Sequence, residues 1–480
     1  MKIALVQPKI DEKYGDRQGY ASTRTPPETG LAVLSTYLRT YASEHDVVCI
    51  DPEKNDEQLA EQLVRFDIVG FSDWFSNHRR VVMLADLTKT LNPSTRVVIG
   101  GPNVPGIGKL VLEKYPFVDF AVQRDGEDSL LGLVTGMPWS EIPNLWYRGV
   151  DGNIRFTRAR FVDINKPPIW DFASSENLDG RLAEYRGAVA QSGEKNFDPW
   201  LVPPLAMSSV RGCMKAARTE TCAYCTSAEK KIRMLAPDKF WAQLALLKER
   251  YGAGPVYMAD DIFPVSITRM EQLARAKPSG SMPVIRAYAY MPDFIGLDAP
   301  KMERMIDALR AIGVFNLFFG VESFGMEQIT RANKAAVSIG DTAHVINTLG
   351  RAGIKTTMAY LLGLPGETEE SLALNLASLE TLLATGEVER VYMSVVMSLR
   401  STPMFDELCR NSSVTREYKQ GTGKDLIRDD DPDYALLQRL SVQHLSGIIP
   451  ARVNSAMKRM IDTAEQYLSP HRIGAFMLEI

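Results

Sequence analysis

The sequence predicts two successive α/β units: a doubly wound parallel sheet at the N-terminus, then a parallel barrel, complete or partial. Three observations carry this. Short apolar runs alternate with segments of helical period from Lys2 to about Val134. The alternation fails from residue 138 to about 206, and a second series starts near Leu205 and runs to Ser398.

In the first series the strand candidates are Ile3–Pro8, Val47–Asp51, Asp67–Ser72, Arg96–Gly101 and Asp119–Gln123. Each is apolar nearly throughout, as expected of parallel strands covered on both faces, and each ends in small, polar or turn residues. Ligands of such sheets lie beyond the carboxyl ends of the strands. A cofactor of this unit therefore belongs against Gln7-Pro8, Ser72-Asp73-Trp74, Gly100-Gly101-Pro102-Asn103 and Arg124-Asp125-Gly126-Glu127. Between 138 and 204, Trp146–Asn153 reads as a hairpin, followed by Pro167-Pro168 and a polar stretch, and the whole segment is expected to be a linker. The second series has strand candidates at Pro255–Asp260, Val284–Tyr290, Phe315–Glu322, Thr356–Leu362 and Arg390–Ser398, with helices such as Lys239–Tyr251 and Glu369–Leu383. After Arg400 the pattern turns irregular, with a charged patch at Lys424–Asp433 and then amphipathic helices. The expected divisions are 1–137, 138–204, 205–400 and a mainly helical 401–480 that would cap the barrel mouth.

Charge and composition exclude several classes. With 55 Lys+Arg against 59 Asp+Glu the net charge is −4, so no basic field exists to hold a nucleic acid. At 45% hydrophobic and 24% charged the chain is an ordinary globular protein rather than a disordered one. No run approaches the roughly 18 apolar residues of a membrane span. A soluble, cytoplasmic protein without a membrane partner is expected.

The chemistry is expected at the cysteines. Of five, three fall within one segment, Ser208–Cys225, as Cys213, Cys222 and Cys225 in a C-x8-C-x2-C pattern just after the first barrel strand. Three soft ligands suit an iron–sulfur cluster or zinc. Structural zinc takes four ligands, and none of His45, His78, His344, His444 and His471 lies nearby, which disfavours it. A [4Fe–4S] cluster on three thiolates leaves one iron open to a small chelating ligand.

Four stretches carry a family likeness: Ser209-Val210-Arg211-Gly212-Cys213 with Tyr224 before the last cysteine, Tyr257–Phe263, Phe319-Gly320-Val321-Glu322-Ser323, and Leu361–Glu370 with its Gly363-Leu364-Pro365-Gly366-Glu367. Together they resemble the radical S-adenosylmethionine (SAM) superfamily. The N-terminal unit, through Arg24–Ala32, Val69–Ser72, Val98–Pro102, Val118-Asp119 and Asp125-Gly126-Glu127, is similar to that superfamily's cobalamin-binding subgroup. The likeness covers roughly residues 1–400. It implies a Rossmann-like cobalamin domain followed by a partial (β/α)6 TIM-type barrel. One departure stands out: the family spacing is C-x3-C-x2-C, so five extra residues must bulge, bringing Lys215 and Arg218 into the loop.

The resemblance implies roles by position. Cys213, Cys222 and Cys225 would ligate the cluster, whose open iron chelates SAM and whose electron cleaves it to methionine and a 5′-deoxyadenosyl radical. Asp260, Asp261, Glu322 and Ser323 would face the SAM ammonium, ribose or carboxylate, Arg286 its carboxylate, and Gly363, Leu364 and Gly366 its adenine. No Asp-x-His-x-x-Gly motif is present, so cobalamin would sit base-off and without a histidine ligand. Ser72, Asp73 and Trp74 would lie near the lower corrin face, and Gly100, Gly101, Pro102 and Asn103, with Gly126 and Glu127, near the nucleotide tail. Both cofactors together imply methyl transfer to an unactivated carbon or to phosphorus of a secondary metabolite or peptide. The rival expectation is hydrogen abstraction without methyl transfer, in which Cys409 would quench a substrate radical. A non-catalytic cobalamin or iron–sulfur sensor is a third. An electron donor such as flavodoxin or ferredoxin is an implied partner.

Overall fold

The computed structural model describes residues 1–10, 28–52, 54–183, 205–226 and 229–478. The segment Arg24–Pro27 of the cobalamin-like motif lies outside them. The chain divides into two compact units, Met1–Ala188 with Arg428–Asp431, and Val189–Ile427 with Pro432–Ile480.

In the first unit, five parallel strands alternate with helices: β1 (Lys2–Val6), α1 (Thr29–Tyr41), β2 (Asp46–Cys49), α2 (Asp56–Leu63), β3 (Ile68–Ser72), α3 (His78–Leu91), β4 (Arg96–Gly100), α4 (Val104–Lys114), β5 (Phe120–Val122) and α5 (Glu127–Val134). The sheet order begins β2-β1-β3-β4-β5. Strand side chains alternate between the two faces. Ala4, Val6, Val69 and Phe71 pack one way against α2, α3 and α4, while Ile3, Leu5, Ile68 and Val98 pack the other way against α1 and α5. Double coverage is why these runs read as apolar throughout.

The expected linker is corrected by the sheet. Its hairpin, β6 (Leu145–Arg148) and β7 (Ile154–Phe156), pairs antiparallel to β5 and continues the sheet to seven strands. Trp146 and Ile154 join the core, Ser175 bridges to Cys49, and Arg181 makes a buried ion pair with Glu28 at 3.0 Å. The physical reason is the edge: β5 would otherwise expose unpaired backbone groups.

The second unit is an open parallel sheet in the order β16-β15-β14-β13-β12-β11-β8. Between β8 (Ala206–Met207) and β11 (Val256–Met258) lie β9 (Val210–Arg211), α6 (Met214–Arg218), β10 (Arg233–Met234) and α7 (Pro237–Tyr251). There follow α8 (Ile267–Arg275), β12 (Ile285–Ala289), α9 (Met291–Ile295), α10 (Ala299–Ile312), β13 (Val314–Glu322), α11 (Met326–Arg331), α12 (Ile339–Arg351), β14 (Lys355–Leu362), α13 (Glu369–Leu383) and β15 (Val388–Val395). Buried Ala287, Phe319, Tyr360 and Met393 point toward the helices; Phe319 meets Phe294 of α9, and Tyr360 bonds Ser378 of α13. Their neighbours Arg286, Tyr288, Phe318 and Tyr392 line the opposite, concave face.

The C-terminal region is not helical alone. After α14 (Pro403–Arg410), α15 (Ser412–Thr422), α16 (Tyr434–Leu445) and α17 (Pro450–Ala464), β16 (Ile473–Phe476) pairs parallel with β15 as a seventh barrel strand. No helix among the described residues is long and apolar enough to cross a membrane.

Candidate functional site

The cysteine loop is built on a two-stranded base. β9 and β10 pair antiparallel, and Gly212 between β9 and Cys213 has φ +97°, where a Cβ would fall 2.5 Å from the Lys231 carbonyl oxygen. Only glycine fits that approach. Cys213 N–H donates to Glu229 O at 2.9 Å. The extra residues of the long spacing form α6. Its Lys215 is buried with Nζ donating to Glu220 O, and its Arg218 pairs with Asp293.

Asp260 is a brace beneath this loop rather than a SAM ligand. Its buried carboxylate accepts from Ser209 N (2.6 Å), Val210 N (2.9 Å), Ser208 Oγ (3.0 Å) and Ser209 Oγ (2.7 Å). Burial pushes its pKa up to about 6 against the pull of those donors. Asp261 is exposed; burial raises the Cys213 thiol, and the Asp261 charge adds to it.

The other two cysteines are gripped from behind. Ala223 N–H donates to Ala332 O at 3.0 Å, Asn333 Nδ2 to Thr221 O at 3.3 Å, and Met404 N–H of α14 to Ala223 O at 2.9 Å. Glu322, held at φ +60°, accepts from Lys334 Nζ at 2.7 Å and from the Tyr224 hydroxyl. Burial alone would lower the Lys334 ammonium, but Glu322 and then Cys222 hold it above its ordinary value. Burial, followed by the Glu322 charge, drives the Tyr224 phenol well up. Neither Lys334 nor the role of Tyr224 was found from sequence; the signal available was a lysine twelve residues after Glu322, on the segment that follows α11.

Three further residues or turns assigned to SAM have partners inside the protein. Ser323 is buried and bonded to Asn375 of α13 at 3.2 Å. The Gly363–Gly366 turn spends its backbone inside the protein. Gly363 N–H donates to Glu367 Oε2, Ser446 Oγ donates to the Gly363 and Leu364 carbonyls, and Gly366 N–H donates to Leu445 O at 2.8 Å. Burial pushes Glu367 up to about 7, with Ser371 and the turn amides opposing. Arg286 lies four residues before Tyr290, about 13 Å lower along an extended strand. Its guanidinium sits 5.6 and 5.5 Å from the Tyr257 and Phe318 ring centres. Burial would raise the Tyr392 phenol, but Arg390 and Arg286 beside it bring it below its ordinary value.

In the first unit the strand order reverses between β1 and β3, and a crevice opens at such a switch point. Its rim carries Ser72, whose hydroxyl donates to Gln7 Oε1 and accepts from Trp74 Nε1, both at 3.3 Å. Trp74 is 43% exposed and so is no core residue. Asp73, by contrast, is buried: it bonds His78 Nδ1 at 2.7 Å and accepts from Asn103 Nδ2 at 2.9 Å. Gly101, at φ +105°, lets the β4 loop close on the Asp73 backbone, 2.6 Å from where a Cβ would stand. Gly100, Pro102 and Gly126 border the same strand ends, while Glu127 is buried in the first turn of α5. Sequence reasoning passed over His78, whose Nε2 meets Asp430 at 3.2 Å. Burial would lower it, but the two carboxylates hold it at about 10, and each ring nitrogen is engaged by one of them.

Among the described residues no three Cys, His, Asp or Glu side chains converge to hold one metal ion. A four-iron cluster asks for something else, each thiolate on its own iron, and three half-buried thiols on one clamped loop fit that donor set. Cys409, on α14, is half-buried with its thiol pushed up to about 11 chiefly by burial. A cavity of about 290 Å³ beside α14 is lined by Thr221, Ser401, Pro403, Asp406 and Arg410, and Cys409 is not among them.

Comparison with known proteins finds matches for both units. Residues 22–134 match the B12 binding domain model and residues 207–376 the radical SAM superfamily model. The chain is 25% identical over 385 residues to an uncharacterized methyltransferase of Pyrococcus horikoshii, covering 78% of this chain and 76% of that one. It is 30% identical over 374 residues to the cobalamin-dependent radical SAM methyltransferase TokK of Streptomyces tokunonensis, covering 73% of this chain and 51% of TokK. The solved structure of OxsB, a cobalamin-dependent SAM radical enzyme with aqua-cobalamin bound, superposes with a TM-score of 0.65 at 17% identity, covering 97% of this chain and 61% of that one. The chain thus spans three quarters of one relative and about half to three fifths of the others. With a B12-binding sheet and a radical SAM barrel in one chain, it belongs to the radical SAM enzymes that carry a cobalamin-binding domain.

Proposed function

We propose that this chain is a cobalamin-dependent radical SAM methyltransferase acting on an unactivated carbon, or on phosphorus, of a small molecule or peptide. The observation that supports it most is the pairing, in one chain, of a switch-point crevice rimmed by Ser72 and exposed Trp74 with a clamped three-thiol loop. When bound, the cluster and SAM supply a hydrogen-abstracting radical, and cobalamin supplies a methyl carrier.

The chain's own residues do the positioning. Cys213, Cys222 and Cys225 would hold the cluster, Asp260 braces the loop from below, and Ala332 and Asn333 grip it from the side. Exposed Asp261 and the Glu322 carboxylate, paired with Lys334, would meet the SAM ammonium or ribose. Trp74 and Ser72 would hold the lower corrin face, and Gly100, Gly101 and Pro102 its nucleotide tail. The concave wall of Tyr257, Tyr288, Phe318 and Tyr392 offers an aromatic surface to the substrate. A flavodoxin or ferredoxin supplies the electron.

The test is anaerobic reconstitution with iron, sulfide and hydroxocobalamin, removal of unbound cofactor, then metal counts and an absorption spectrum. One base-off cobalamin and one [4Fe–4S] cluster per chain support the reading. A cluster without retained cobalamin replaces it with hydrogen abstraction, and the absence of both overturns it.

A further inference from the structure

We propose that Lys334 sets the reduction potential of the cluster, by holding a buried positive charge beside Cys222. The inference rests on the reading that the three cysteines carry a [4Fe–4S] cluster and goes beyond it.

Lys334 is placed by the same segment that grips the cysteine loop. Ala332 O accepts from Ala223 N–H, Asn333 reaches Thr221 O, and Asn333 itself turns the chain at φ +55°. Ala335 N–H then donates to the Tyr290 hydroxyl at 3.3 Å, so the side chain between them is directed inward. Its Nζ lies 2.7 Å from Glu322 Oε1, 3.0 Å from Gly320 O and 5.9 Å from the Tyr290 ring centre, with the side chain only 10% exposed. Cys222 lies between Thr221 and Ala223, the two residues that Asn333 and Ala332 hold, so the ammonium stands next in sequence to the clamp on that cysteine.

Reduction adds one electron to the cluster, and cluster potentials respond to nearby charge, hydrogen bonding and solvent exposure. A charge this far from water is weakly screened and acts at several ångströms. Lys334 therefore favours the reduced cluster, and Glu322 opposes it. Without the lysine, the buried Glu322 carboxylate would lose the cation that balances it. A residue that only shaped the loop would change iron retention and leave the potential alone.

The experiment is an EPR-monitored redox titration of the reconstituted full chain without SAM, comparing wild type with Lys334→Met, Lys334→Arg and Glu322→Gln. The expected result is a more negative midpoint for Lys334→Met, a midpoint near wild type for Lys334→Arg, and a more positive one for Glu322→Gln. A Lys334→Met protein with full iron content and an unmoved midpoint overturns the inference while leaving the cluster reading intact. Where Lys334→Met loses iron, Glu322→Gln decides, and no positive movement overturns the inference. A wild type that assembles no cluster overturns both.

Discussion

Asp260 and Asp261 are neighbours in sequence with opposite fates. Successive residues at a strand end face opposite sides, so one carboxylate turns under the cysteine loop and the other toward solvent. The sequence shows two acids at the right place and cannot say which one turns in. Asp260→Ala leaves the Ser209 and Val210 N–H groups without their acceptor. Each buried orphan donor costs about 1–3 kcal/mol. A lowered melting temperature and reduced iron retention after reconstitution are expected, read by thermal denaturation and iron assay. Asp261→Asn, at an exposed position, is expected to change stability by less than about 0.5 kcal/mol, as is usual for surface changes, and to keep full iron content. Arg286 follows the same logic: its place on a barrel strand is legible, but its depth is set by the register with β13, which no local pattern encodes.

At the scale of elements, the strands were legible because burial on both faces makes them apolar, and the cysteine loop because its ligands are adjacent in sequence. The bulge was legible as an excess of residues but not as a helix, since α6 is held by Arg218 pairing with distant Asp293 as well as by Lys215 donating to Glu220 O just beyond it. Cys222 and Cys225 are gripped independently of α6, by Ala332, Asn333 and Met404. Deleting Met214–Arg218, which restores C-x3-C-x2-C, is therefore expected to keep the iron content while lowering thermal stability through loss of the buried Ala216. Loss of all iron would show that α6 sets the loop. The Gly363–Gly366 turn is held by the end of α16, so Ser446→Ala, which frees two carbonyls, should cost about 1 kcal/mol in denaturant unfolding.

At the scale of the whole molecule, the chain returns to the first unit at Arg428–Asp431 and places Asp430 on a histidine 352 residues earlier. Asp73, His78 and Asp430 are fully buried, with Lys114 closing on Asp430. His78→Ala leaves two buried carboxylates facing each other and should cost about 3–5 kcal/mol. The pH dependence follows from the shifts. His78 is raised from its ordinary value to about 10, so its stabilisation is complete below about 6.5 and is lost as pH rises through 10. Burial would raise Asp430, but His78 and Lys114 lower it overall, so its share is present above about 4 and is lost as pH falls. Wild-type stability should therefore fall on the alkaline side in a way that His78→Ala does not, measured by thermal denaturation between pH 5 and 10.5. The sequence by itself determined the two α/β units, the strand-end loops and the cysteine triad, because each is written in local periodicity or in ligand spacing. Only the tertiary structure decided that the hairpin belongs to the first sheet, that β16 completes the second, which of two aspartates braces the cysteine loop, and that Lys334 and Asp430 stand at buried charges. Those outcomes depend on contacts between residues far apart in sequence, where burial and opposite charge select a partner that no short window contains.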